Sequence, residues 1–94
     1  MTIRGLIWLE EVIEKLASKH RVEQYEVRSV LLGRPRFRFV EKGHKPNENV
    51  CAALGRTEEG RYLIVFFIRK LDGRALVLSA RDMTDGERKR YEKK

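Results

Sequence analysis

The chain predicts an α+β fold, and three observations carry that reading. Near the start, apolar residues recur at three- and four-residue steps. The middle holds apolar runs of strand length, two of them joined by an Asp-Gly turn, and a helix-capping signature follows the last run. The 94 residues make room for one small domain spanning residues 1–94. A chain of this size buries only somewhat more than ~60% of its unfolded surface, so marginal stability is expected without a partner.

From Leu6 to Lys19, the residues Trp8, Leu9, Val12, Ile13 and Leu16 form one stripe, with Glu10, Glu11, Glu14 and Lys15 outside it. That pattern predicts an amphipathic helix. After Lys19-His20-Arg21, a shorter helical pattern from Glu23 to Leu32 turns Val27, Val30 and Leu31 inward, and Gly33 and Pro35 stop it. Two N-terminal helices should therefore form a hairpin.

Arg36-Phe37-Arg38-Phe39 alternates basic with aromatic, the period of a strand with one buried and one wet face, so Phe37 and Phe39 are expected to point inward. A polar loop from Lys42 to Asn47 leads to a second strand, Glu48 to Thr57, and Glu59-Gly60 turns the chain. Tyr62 to Lys70 and Leu76 to Ala80 flank Asp72-Gly73, a hairpin signal. These runs predict a four-stranded antiparallel meander with the helices packed on one face. Thr84-Asp85-Gly86-Glu87 has the Thr-x-x-Glu spacing of a capping box and predicts a C-terminal helix through Tyr91.

Composition narrows the function classes. The chain is 37% charged and 41% hydrophobic, which suits a folded domain better than a disordered one. The lone Cys51 excludes an internal disulfide and fits a reducing compartment. No run approaches the ~20 apolar residues of a membrane span, and no signal-peptide pattern opens the chain, so a cytoplasmic protein is expected. The net charge of +7 is uneven: basic and acidic residues cancel through Gly33, +5 lies between Arg34 and Ala80, and +2 follows. That excess favours polyanions, nucleic acid first among them.

No His, Cys or carboxylate cluster has metal-ligand spacing, no glycine-rich phosphate loop is present, and no cofactor is expected. The remaining enzyme chemistry is metal-free phosphodiester cleavage, which needs a base, an acid and cations at the phosphate. Arg69 ends one strand and Arg81 follows its hairpin neighbour, and both are placed to clasp one phosphate. Glu87 and Tyr91, four residues apart on one helix face, are candidate proton carriers. Glu87 is equally the capping residue for Thr84, and Tyr91 equally the anchor of the helix. His20 is the usual acid or base near neutrality, although with Lys19 it also suits ordinary helix C-capping. Lys19, Arg56 and Arg61 complete the candidate substrate contacts.

Gly60-Arg61-Tyr62-Leu63-Ile64-Val65, Arg69, Ser79-Ala80-Arg81, Glu87 and Tyr91, with Trp8 and Lys19-His20, fall in the order and spacing of BrnT toxins, a family that this chain resembles from about Ile7 to Glu92. Leu9, Leu16 and Arg21 stand where that family usually carries Asp, Asn and Gly. The resemblance implies a RelE-like fold and a type II toxin that cleaves RNA, messenger RNA in particular, and so inhibits translation and growth. It also implies neutralisation by a BrnA-like antitoxin in a complex with two copies of each chain, with operator DNA bound only through the antitoxin. The residues leave two other readings open. One is a non-catalytic module that binds nucleic acid or an acidic protein; the other is a subunit whose polar last helix orders only on docking.

Overall fold

The strand-forming runs assemble into one sheet, and the helices dock where that sheet presents apolar side chains. The computed structural model describes residues 1–93, and Lys94, one of the tail's basic residues, lies outside them. In chain order the elements are β1 (Gly5–Ile7), α1 (Glu10–Lys15), a π-helical turn (Leu16–His20), α2 (Gln24–Leu32), β2 (Arg36–Glu41), β3 (Val50–Arg56), β4 (Tyr62–Arg69), β5 (Arg74–Asp82) and α3 (Asp85–Glu92). The sheet order is β1-β5-β4-β3-β2.

The sheet is thus five-stranded and mixed, which corrects the expected four-stranded antiparallel meander. Strand β1 lies parallel to β5, with Gly5 opposite Arg74 and Ile7 opposite Leu76. The helical stripe that starts at Trp8 adjoins these three residues and masks them; Leu6, inside the strand, and Trp8, just beyond it, both pack on the core. The first helix starts only at Glu10. Leu9 stands at its N-cap without a side-chain cap, since leucine has no oxygen to offer the orphan amides. Beyond Lys15 the helix widens into the π-helical turn and stops at Arg21, which takes a left-handed conformation with φ 53° and ψ 41°.

The period-2 alternation of β4 sorts the core into two layers. Leu63, Val65 and Phe67 face the first helices and pack with Leu16, Val27, Val30, Leu31, Ala53, Val77 and Ala80. Each large side chain so buried contributes roughly 1.5–3 kcal/mol. Ile64 and Phe66 point the other way and pack with Ala52, Leu54, Met83 and Tyr91 beneath α3. The helices therefore cover both faces of the sheet, not one as expected. A bulge between Phe66 and Phe67 resets the register, so that Ile64 faces Arg81 and Leu63 faces Asp82.

Phe37 packs on the main core as expected, but Phe39 lies 61% exposed on the edge strand β2 opposite Cys51. Helix α2 crosses β3 closely at Gly55, where an added Cβ would sit 2.9 Å from Val30 Cγ1. No helix of the described residues is long and apolar enough to cross a membrane.

Candidate functional site

Helix α3 is built from the sequence as expected. The Thr84 hydroxyl accepts the Glu87 amide at 3.1 Å, and Glu87 Oε1 accepts the Thr84 amide at 2.9 Å. The strand before it places Arg81 inside β5, not beyond its end, and on the face that α3 covers. The capping carboxylate and this guanidinium consequently meet. Arg81 Nη1 donates to Glu87 Oε1 at 2.7 Å and Nη2 to Oε2 at 3.0 Å, while Nη1 also donates to the Asp82 carbonyl at 3.1 Å.

Arg81, with the Thr84 amide adding to it, pulls the Glu87 carboxyl down from its ordinary 4.5 to about 2. Glu87 is thus ionised at neutrality, and its lone pairs are shared between a cap and an ion pair. Arg81 keeps a second edge. A guanidinium carries five N–H donors in a planar fork. Three bonds use its Nη1 and one Nη2 hydrogen, leaving Nε–H and the other Nη2–H without an acceptor among the described residues. That free edge can hold two oxygens of a phosphate without breaking the Glu87 pair.

Aromatic rings and arginines alternate across the same face. The Tyr62 and Tyr91 rings meet edge to face with centres 6.0 Å apart. Arg88 and Arg56 lie over Tyr62, with Cζ 4.0 Å and 5.2 Å from its centre; Arg36 lies over Tyr91 at 5.7 Å, and Arg81 over Phe66 at 5.6 Å. The structure therefore groups Arg81, Glu87, Tyr91 and Arg56 on one face. Tyr91 anchors α3 there, as its packing alternative anticipated. Tyr62, Arg36 and Arg88 are additions that sequence reasoning missed. Tyr62 was within reach of it, because the turn through Glu59-Gly60 pairs Arg56 with Tyr62 directly.

Other candidates lie elsewhere. Arg69 faces Ala75 at the Asp72-Gly73 end of the hairpin and donates from Nε to the Thr2 carbonyl at 3.2 Å. Arg81 lies six residue steps along β5 from Ala75, the neighbour of Arg69, roughly 20 Å at the strand rise. The expected clasp of one phosphate by both arginines is therefore not formed, because a hairpin sets the end of one strand beside the start of the next.

Arg61 is consumed internally rather than held out for substrate. Its Nε and Nη2 donate to Asp82 Oδ1 and Oδ2 at 2.7 Å and 3.2 Å, Nη1 to the Arg21 carbonyl and the buried Glu26 carboxylate at 2.7 Å and 3.1 Å, and Nη2 to the His20 carbonyl at 3.1 Å. All five donors are engaged. This clamp ties the π-helical turn to the end of β5, and Arg61 together with nearby His20 holds the Asp82 carboxyl below the usual range. Lys19 is exposed and His20 half-buried at this clamp, on the helix side of the sheet and across from Glu87. No protein-family model matches this chain, and no curated protein matches it. Among the described residues, no three His, Cys, Asp or Glu side chains converge as a metal site would.

Proposed function

We propose that this protein is the toxin of a type II toxin–antitoxin system, an endoribonuclease that cleaves RNA by attack of the 2′-hydroxyl without a metal. The observation that carries this reading is the free edge of Arg81 beside an ionised Glu87, on a basic face set with tyrosines. In the reaction the 2′-oxygen bonds to phosphorus while its proton passes to a base. The bond to the 5′-oxygen breaks as an acid protonates it, leaving a cyclic phosphate and a free 5′-hydroxyl. Arg81 stabilises the charge that builds on the phosphate oxygens. Glu87 is the proton acceptor beside it, Tyr91 lies one turn further along α3, and His20 serves only if the RNA reaches around the end of β5.

In the cell the substrate of this reading is messenger RNA and the outcome is arrested translation. A BrnA-like antitoxin would neutralise the protein in a heterotetramer and carry the operator-binding domain, all in the cytoplasm. A second reading, a non-catalytic nucleic-acid module, is favoured by one observation: a carboxyl held near 2 is a weak base at neutrality.

The test incubates the partner-free protein with mixed RNA in EDTA, with and without ribosomes, beside a folded Arg81→Ala control. Fragments from the native protein alone support the ribonuclease. Intact RNA in every arm rejects it in favour of the module.

A further inference from the structure

Beyond Tyr91, at the far end of α3 from Arg81, three adjoining depressions run around the end of the sheet. The first, about 540 Å³, lies between α2 and the β3–β4 turn and is lined by Tyr25, Arg28 and Arg56, with Glu58 and Glu59 at the turn itself. The second, about 210 Å³, shares Ser29, Gly33 and Arg56 with it and adds Arg34. The third, about 200 Å³, shares Tyr91 with the second and adds Arg36, Arg38 and Arg90. Six arginines therefore mark one continuous groove. No carboxylate pairs with any of them among the described residues; Arg56 donates only to the Gly60 carbonyl, and Arg36 lies on the Tyr91 ring.

Six guanidiniums along one groove repel one another, and only Glu58 and Glu59, at its β3–β4 turn and out of ion-pair contact with them, moderate that cost. We infer that this groove is a binding track for single-stranded RNA, laid beside the Arg81 centre and holding the strand on one side of the reacting phosphate. Arg36 and Arg38, two residues apart on the edge strand β2, stand roughly 6.7 Å apart on one face, a step suited to successive phosphates of an extended strand. The guanidinium plane on Tyr91 and the exposed face of the Tyr25 ring, whose hydroxyl donates to Glu59, offer surfaces on which unpaired bases stack, which bases paired inside a duplex cannot use. The choice of RNA rests on the ribonuclease reading; the track itself rests on the groove.

The experiment measures binding of a fluorescent, fully 2′-O-methylated RNA of mixed sequence by anisotropy across a salt series. The blocked 2′-oxygens prevent cleavage, so binding is read apart from chemistry. Arg34→Ala/Arg38→Ala and, separately, Arg28→Ala remove exposed groups without protein partners, and unchanged melting confirms their folding. Each phosphate contact contributes a slope of about 0.7 in log affinity against log salt for single strands. The double variant should therefore flatten the slope by about 1.4 and, with native affinity at 1 M salt, weaken binding about 25-fold near 0.1 M salt. Native affinity and slope in both variants would overturn the track. So would equal binding of blunt duplex RNA, or tighter binding of polyglutamate, which would assign the groove to an acidic protein segment. Binding with the expected losses but no cleavage by the native protein rejects the catalytic reading and leaves the track standing.

Discussion

Arg81 and Glu87 form a two-bond ion pair, Nη1 to Oε1 at 2.7 Å and Nη2 to Oε2 at 3.0 Å, that fastens the end of β5 to the first turn of α3. No residue of α3 is fully buried, so this pair and Tyr91 are its main attachments.

Glu87→Gln keeps the shape and removes the charge. With Arg81 partly wet, the loss should be about 1–3 kcal/mol, and a domain of this size shifts its Tm by about 4–8 °C per kcal/mol. Because the folded state depresses the Glu87 pKa, the stabilisation is fully present above about pH 4.5 and fades as pH falls towards 2. Asp82, depressed chiefly by Arg61, acts in the same direction. Urea midpoints between pH 2 and 6 should fall more gently with acid in the variant. Parallel curves for the two proteins would mean that the pair contributes nothing.

Arg61→Ala should cost about 2–4 kcal/mol, somewhat less than a fully buried pair because the Arg61 side chain is 26% exposed. Most of that is the penalty of leaving Glu26 charged inside the protein. Adding Glu26→Gln should then recover part of the stability, about 1 kcal/mol. Additive losses in the double variant would show that the two side chains are not coupled.

Two local weaknesses should be repairable. Leu9→Asp supplies the missing N-cap of α1 and should add about 1 kcal/mol. Arg21→Gly relieves a left-handed residue while the backbone carbonyl still accepts from Arg61, and should add about 0.5–1 kcal/mol. Thermal melts of both variants check this, and a lower Tm in either would show that the native side chain has a contact worth more than the backbone relief.

If the ribonuclease reading holds, the two hairpin arginines should part company. Arg81→Ala should lower cleavage at least about 100-fold, the scale of losing one charge-stabilising donor. Arg69→Ala, at the distant turn, should cleave within about threefold of the native protein, since remote surface changes are usually nearly silent. Equal losses in both would move the reaction centre away from α3.

The elements with strong local chemistry were legible in the sequence. Asp72-Gly73 gave its hairpin, with Gly73 at φ 89°, and Thr84 and Glu87 gave the capped helix. Strand β1 was hidden because three residues are too few to show a period of 2, and the helical stripe that begins at Trp8 adjoins them. The side of the sheet that α3 covers followed from a bulge near Phe66, which no local pattern marks. Of the candidate site, the Glu87 to Thr84 bond was readable from spacing, whereas its bond to Arg81 depends on register. The separation of Arg69 from Arg81 was readable and was overlooked: the turn itself places one arginine beside it and the other a strand length away.

Strand β1 has a temporal consequence. Gly5 to Ile7 pair with Arg74 to Leu76, so the first strand waits for β5 to be made and placed before it can close. Until that closure β5, which carries Arg81, is an unprotected border of the sheet. Completing such a distant contact is slow, because the intervening loop must surrender its entropy first. The border of the sheet next to Arg81 is therefore among the last parts of the fold to be covered.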